Sequence, residues 1–87
     1  MVGYILWLER KDYFRLYSLA VDINFQGLGI ASKLLEYSFE KLRNKNFSLE
    51  VKIKNIKAIK LYEKYQFKIK KVLKDYYEDS DGYLMIK

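Results

Sequence analysis

Two glycines, Gly27 and Gly29, stand directly before a long run of residues with helical apolar spacing. The first backbone N–H groups of a helix have no partner inside the helix, and they carry the positive end of its dipole. Glycine has no side chain that would keep a ligand away from the backbone. The turn is therefore a candidate site for a phosphate group. The alternative is that the glycines only shape a tight turn from strand to helix.

The residue types that are absent limit the chemistry further. The turn has neither the G-x-G-x-x-G spacing of dinucleotide-binding folds nor the Gly-Lys-Ser/Thr of nucleotide P-loops. The chain contains no histidine and no cysteine. Imidazole bases, Ser-His-Asp triads, cysteine nucleophiles and thiolate metal sites are therefore excluded, and we expect no metal. Any acid–base chemistry must use carboxylates, lysines or tyrosines.

Length and hydropathy indicate one small globular domain over residues 1–87. Hydrophobic residues make up 51% of the 87 residues, which favours a folded chain over a disordered one. The longest apolar run near the start, Tyr4 to Leu8, is far shorter than the roughly 20 residues that span a bilayer. No signal peptide is visible. We expect a cytoplasmic protein with no membrane association.

The charge balance is basic, with 17 Lys and Arg against 11 Asp and Glu, for a net charge of +6. One interpretation is an ordinary lysine-rich surface. The other is a field that attracts an anion such as a nucleotide, a phosphate or an acidic peptide. Only Arg10, Arg15 and Arg43 are arginines, and arginine makes most contacts to DNA bases, so the balance disfavours sequence-specific DNA binding.

The periodicity of apolar residues predicts the elements that must position this turn. Period-two alternation marks strands, and steps of three and four mark helices. The predicted order is β-β-α-β-α-β-β, over residues 2–8, 14–21, 28–44, 47–53, 56–66, 68–76 and 83–86. Asn55 is predicted to be the N-cap of the second helix, and residues 78–82 are predicted to form a turn.

Three segments together resemble the GNAT acetyltransferases. In "LAVDINFQGLGIASKLLE" (19–36), Gln26, Gly29 and Ala31 match the central motif of that family, which is Gln or Arg, any two residues, Gly, any residue, then Gly or Ala. "LEVKIKNIKAIKLYEKYQF" (49–67) and "VLKDYYEDSDGYLM" (72–85) are similar to later family segments, the last to the closing hairpin of N-terminal acetyltransferases. The resemblance implies a truncated GNAT fold of class α/β (α+β), with a mixed sheet of about five strands and two helices.

The resemblance also implies a cofactor, acetyl-coenzyme A, and the residues that bind it. In the family, the loop amides hold the pyrophosphate and the preceding strand contacts the pantetheine arm. The strand residues implied here are Leu19, Ala20 and Val21. The loop residues implied are Gln26, Gly27, Leu28, Gly29, Ile30, Ala31 and Ser32. Asn55 is implied to contact the pantetheine arm, in addition to capping its helix.

Two further residues are implied to perform the chemistry. In the resembling enzymes an amine attacks the thioester directly, without a metal or a covalent enzyme intermediate. Glu50 is implied to accept the proton of the amine, directly or through a water, and Tyr62 to protonate the leaving thiolate. The alternatives are that Glu50 is an exposed strand carboxylate paired with a lysine, and that Tyr62 is only a core aromatic.

The closing hairpin is implied to bind the acceptor. By resemblance, Tyr76 and Tyr77 hold the first residues of a peptide whose N-terminal amine is acetylated. The alternative is aromatic packing of the hairpin against the sheet. Asp79 and Asp81 could attract a cationic amine, but a solvated turn is the simpler interpretation.

Two departures from the family bear on these expectations. Gln66 stands where many members have glycine. Members also usually begin with a strand, two helices and another strand before the segment that resembles residues 2–8. We therefore expect an open apolar edge at Tyr4 to Leu8, covered in a homodimer or by a partner chain.

Three functions are consistent with the sequence. The favoured one is an N-acetyltransferase acting on a primary amine, which by resemblance is the N-terminal α-amine of a protein. The second is a non-catalytic, regulatory remnant of a GNAT enzyme that still binds coenzyme A. The least favoured is a small basic domain that binds nucleic acid.

Overall fold

Five strands and two α-helices follow one another in the predicted order, which confirms the fold class. The computed structural model describes residues 2–87. Its elements are β1 (Gly3–Glu9), β2 (Tyr13–Val21), α1 (Ile30–Lys41), β3 (Asn46–Lys52), α2 (Ile56–Lys64), β4 (Lys68–Tyr77) and β5 (Ser80–Ile86). The chain divides into two compact units, the first ending at Lys45 and the second beginning at Asn46.

The first unit is an antiparallel hairpin with α1 packed on it. The register of β1 and β2 runs from the Gly3–Val21 pair to the Glu9–Phe14 pair, with one shift after Leu6. The ring of Trp7 lies 6.3 Å from the ring of Phe39 on α1. β1 is an end strand of the sheet, as expected, but the side chain of Trp7 packs on the helix and does not add to an exposed apolar surface.

The second unit places β5 between β3 and β4, with antiparallel pairing on both sides. The buried apolar residues of this unit lie on β3 and β5, on one face of α2, and just after α2. These are Phe47, Leu49, Val51, Ile59, Tyr62, Phe67 and Met85. Leu49 and Val51 lie on one face of β3, so Glu50 between them lies on the other, as the alternation predicts.

Both helices are shorter than the periodicity predicts. The helix α1 begins at Ile30 rather than Leu28, because Gly29 caps it in the left-handed conformation with φ 75°. It ends at Lys41, since Leu42 already has extended backbone angles. The predicted cap of α2 is confirmed, because the side chain of Asn55 accepts a hydrogen bond of 3.2 Å from the Ala58 N–H.

The end of α2 is a Schellman motif rather than a continuation to Gln66. Gln66 has a positive φ of 76°. Its N–H donates to the carbonyl of Glu63 at 2.9 Å, and the Phe67 N–H donates to the carbonyl of Tyr62 at 3.1 Å. This pair of bonds satisfies carbonyls that the end of the helix would otherwise leave without partners.

The turn between β4 and β5 is also shorter than predicted. Residues 80–82 belong to β5, and Gly82 pairs with Lys52 on one side and Leu73 on the other. The polar composition of this segment is that of a turn, but strand pairing on both sides overrides it. Opposite it, β4 has a bulge between Leu73 and Tyr77, where Asp75 has a φ of 53°.

Candidate active site

The loop after β2 is tied back to the strand that it leaves. The side chain of Asp22 accepts a hydrogen bond of 2.8 Å from the Asn24 N–H, which closes a short 3-10 turn over Ile23–Phe25. The amide of Gln26 then donates to the carbonyl of Val21 at 3.1 Å. These bonds set the path of the chain before the two glycines.

Gly27 and Gly29 are both in the left-handed region, with φ values of 83° and 75°. Any L residue there would be strained by about 1–2 kcal/mol, so the turn geometry alone is sufficient to explain both glycines. A Cβ added to either glycine would meet no atom within 4 Å. The backbone at these positions is therefore also open to approach.

The first turn of α1 presents amides at this open position. The Lys33 N–H donates to the Gly29 carbonyl at 3.0 Å, as the first bond of the helix. The N–H groups of Ile30, Ala31 and Ser32 precede that bond, so they have no partner within the helix. Such amides bind anions well, because the helix dipole adds to their partial charge.

The strand residues implied to contact the cofactor precede this turn. Leu19, Ala20 and Val21 form the last positions of β2, paired with the start of β1. The Val21 carbonyl accepts the Gln26 amide. Leu28 leaves 64% of its surface exposed. The predicted loop residues Gln26 to Ser32 run from the end of the 3-10 turn into the first turn of α1.

In the second unit, Glu50 is joined to the closing hairpin. Glu50 lies on β3 opposite Leu84 and is half-buried. The Tyr76 hydroxyl donates a hydrogen bond to Oε1 of Glu50 at 3.4 Å. A carboxylate held by a hydroxyl, with part of its surface accessible, is suitable for accepting a proton.

Tyr62 is buried, and its ring contacts that of Phe67 edge to face at 5.9 Å. Burial raises the pKa of the Tyr62 phenol above its ordinary value, and the nearby Tyr77 raises it further. Tyr62 therefore keeps its proton well beyond neutral pH. This arrangement is consistent with a core aromatic and with a proton donor.

The two tyrosines of the hairpin connect these groups. The rings of Tyr76 and Tyr77 contact each other edge to face at 5.0 Å. Tyr76 reaches Glu50, and Tyr77 lies near Tyr62, so four residues that the sequence singles out belong to one cluster. An open groove of about 660 Å³ adjoins the cluster, lined by Ile53, Lys54 and residues 75–81.

The bulge in β4 is what lets both tyrosines reach β3. Neighbouring residues of a regular strand point to opposite faces, but a bulge breaks that alternation. The Asp75 N–H, which the bulge removes from the strand ladder, donates to Oδ1 of Asp81 at 2.8 Å. Asp81 therefore serves the hairpin itself, which favours a structural role over attraction of a cationic amine.

A further residue, Lys52, contacts this cluster and is absent from the sequence-based prediction. Its Nζ lies 2.9 Å from Oδ1 of Asp79 and 5.6 Å from the centroid of the Tyr77 ring. The hydrogen bond from Lys52 lowers the pKa of the Asp79 carboxyl below its ordinary value. The alternation of β3 was a usable signal, because it places Lys52 on the same face as Glu50.

A sequence model of the Acetyltransferase (GNAT) family matches residues 1–67. The chain belongs to the GNAT acetyltransferase family. An N-alpha-acetyltransferase of Saccharolobus solfataricus is 45% identical over 83 residues, which are 90% of this GNAT chain and 48% of that relative. The chain spans about half the length of the curated relatives it matches.

Solved GNAT structures resemble the chain over nearly its whole length. Ard1 from Thermoplasma volcanium has a TM-score of 0.88 and 34% identity, covering 99% of this chain and 62% of that one. Naa50 of Arabidopsis thaliana, solved in complex with the bisubstrate analogue CoA-Ac-MVNAL, has a TM-score of 0.85 and 32% identity, covering 99% and 64%.

Metal-binding clusters and membrane-spanning helices are both absent from residues 2–87. No group of three or more Asp or Glu side chains in this range is arranged to hold a metal ion. No helix in the same range combines the length and the apolar character needed to cross a membrane.

Proposed function

We propose that this GNAT chain transfers an acetyl group from acetyl-coenzyme A to a protein N-terminal α-amine. The observation that carries the proposal is the loop before α1, where two glycines with positive φ lead to helix amides beside open space. The name of the Saccharolobus relative supports the acceptor class. That residues 1–87 act as a single domain is part of the same proposal.

The first unit binds the diphosphate of the cofactor. The amides from Gly27 to Ser32 donate to its oxygens, and the end of β2 offers backbone groups to the pantetheine arm. The hydrogen bond from Gln26 to Val21 holds the loop against the strand, so Gln26 positions the backbone amides that bind the diphosphate. That Naa50 has been solved with a coenzyme A analogue supports this assignment.

The second unit supplies the acid and the base. Bound acetyl-coenzyme A provides the acetyl group as a thioester. Glu50 takes the proton that the attacking amine must lose, at its Oε1 or through a water. With the cofactor bound, Tyr62 would supply the phenolic proton that the leaving sulfur needs, and its raised pKa means that it carries this proton at neutral pH.

The hairpin of the second unit holds the acceptor. Tyr76 is half exposed beside the groove, and its hydroxyl already contacts Glu50. A peptide bound by Tyr76 and Tyr77 would therefore have its amine close to the base. The Oδ1 of Asn55 caps α2, and its backbone N–H and carbonyl are bonded to Lys52 and Ile59, so its side-chain Nδ2 is the group that would contact the cofactor.

The exposed face of β1 is proposed to pair with a second copy of the chain. Tyr4 and Leu6 of β1, and Val2 just before it, occupy alternate positions and leave 45%, 46% and 39% of their surfaces exposed. In the unit that ends at Lys45, β1 pairs with β2 on one side. An apolar strand edge of this kind favours addition of another strand.

The experiment that tests the function is a peptide panel incubated with acetyl-coenzyme A. Matched peptides should carry a free N-terminus, a blocked N-terminus, or a blocked N-terminus with an internal lysine. Mass spectrometry should show time-dependent acetylation of the first peptide only. Binding of acetyl-coenzyme A with no modification of any peptide would replace the proposal with the non-catalytic, coenzyme A-binding function.

A further inference from the structure

One face of β3 carries two charged side chains in succession, Glu50 and Lys52. Residues two apart in a strand point to the same side of the sheet. Glu50 accepts the hydroxyl of Tyr76, and Lys52 lies 5.6 Å from the ring centroid of Tyr77. Each charged residue thus contacts one tyrosine of the closing hairpin.

Lys52 also holds the turn that follows these tyrosines. Its ammonium forms an ion pair of 2.9 Å with Asp79, two residues after Tyr77. Lys54 adds a hydrogen bond of 3.2 Å to the backbone carbonyl of Asp79. Contacts of Lys52 with both a ring and the adjacent turn restrict the hairpin more than either contact alone.

The ring of Tyr77 is placed against β5 at a position that requires glycine. A Cβ on Gly82 would lie 2.8 Å from Cε2 of Tyr77, closer than side chains approach. Gly82 is paired in register with Lys52 across the sheet. The ring of Tyr77 in turn contacts Tyr76, so the position of one tyrosine constrains the other.

We propose that Lys52 is a positioning residue for acceptor binding. Through the ion pair with Asp79 and the cation–π contact with Tyr77, it fixes the Tyr76–Tyr77 pair in the place where the acceptor peptide is held. It acts through these residues and contacts no reacting atom. The inference rests on the proposed function for the identity of the peptide acceptor.

The test compares Lys52→Met with Lys52→Arg, using Lys60→Met on the exposed side of α2 as the charge-matched control. Lys52→Met should raise the KM for the acceptor peptide about tenfold, from the loss of one cation–π contact and one ion pair. The kcat and the KM for acetyl-coenzyme A should stay within about twofold. Lys52→Arg should restore the acceptor KM, because arginine forms ion pairs and stacks on aromatic rings.

A second measurement does not depend on activity. The ring of Tyr77 should shift the NMR signals of the Gly82 α-protons, because those protons lie against it. Lys52→Met should reduce that shift, and Lys52→Arg and Lys60→Met should retain it. A shift that Lys52→Met leaves unchanged would overturn the positioning role.

The two proposals can fail separately. If the wild-type chain acetylates no peptide, the proposed function fails, and the Gly82 signals alone decide the role of Lys52. If peptides are acetylated but Lys52→Met keeps the acceptor KM within twofold of wild type, the role of Lys52 fails while the function stands. An equal rise in KM for Lys60→Met would also overturn it, because the effect would then come from net charge.

Discussion

At the scale of single residues, the raised pKa of Tyr62 has a consequence for stability. Its folded-state pKa lies above the ordinary value of 10.0, because burial disfavours the phenolate. The contribution of Tyr62 to the free energy of unfolding is therefore complete below pH 10 and is lost as the pH rises through the folded pKa.

This linkage predicts a difference between the wild type and Tyr62→Phe. Above pH 10 the free energy of unfolding of the wild type should fall more steeply with pH, since phenylalanine has no proton to lose. Denaturant unfolding of both proteins from pH 9 upward measures the two slopes. Equal slopes would show that Tyr62 ionises as freely in the folded chain as in the unfolded one.

The proposed acid and base make a second prediction at this scale. Glu50→Gln and Tyr62→Phe should each lower kcat by about 10²- to 10⁴-fold, the usual range for loss of a general acid or base. Acetyl-coenzyme A binding should change little, because neither side chain belongs to the loop before α1. Wild-type turnover in both variants would refute the roles assigned to Glu50 and Tyr62, although the acetyltransferase activity itself would stand.

At the scale of elements, the end of α2 contains an unfavourable residue. Gln66 adopts a positive φ that glycine reaches without strain. Gln66→Gly should therefore raise the free energy of unfolding by about 1 kcal/mol, or the melting temperature by roughly 4–8 °C for a domain of this size. Gln66→Ala is the control and should give no such gain. A destabilised Gln66→Gly would contradict the Schellman assignment.

The sequence predicts the elements well where one local rule decides them. The alternation of β3 and the Asn55 cap are confirmed, because both depend on residues close in the chain. The predicted turn over residues 78–82 is too long. Only Glu78 and Asp79 form it, because Gly82 pairs with Lys52, a strand residue distant in sequence. The contacts of Lys52 with Asp79 and Tyr77 could not be predicted for the same reason, because these residues are also distant from it in sequence.

At the scale of the whole molecule, the exposed face of β1 predicts self-association. Leu6→Lys should lower the mass measured by light scattering after size exclusion from that of a dimer to that of a monomer. Val72→Lys, at an exposed position of β4, is the matched control and should leave the mass unchanged. A wild-type chain that is monomeric at micromolar concentration would refute the dimer.

In the candidate site, too, some residues are indicated by resemblance to the family, and some contacts are visible only in the structure. The motif around Gln26 and Gly29 implies which residues form the loop, and the structure adds that Gly27 and Gly29 both have a positive φ. The link from Glu50 to Tyr76 joins residues 26 positions apart, and no local pattern in the sequence indicates it.

The central claim is that the amides beside Gly27 and Gly29 bind the diphosphate of acetyl-coenzyme A. Calorimetric titration of the purified chain with acetyl-coenzyme A, and separately with acetylpantetheine, which lacks the diphosphate, tests it most directly. The account predicts saturable heat with acetyl-coenzyme A and much weaker binding of acetylpantetheine. No heat with acetyl-coenzyme A, or equal affinity for the two ligands, would contradict it.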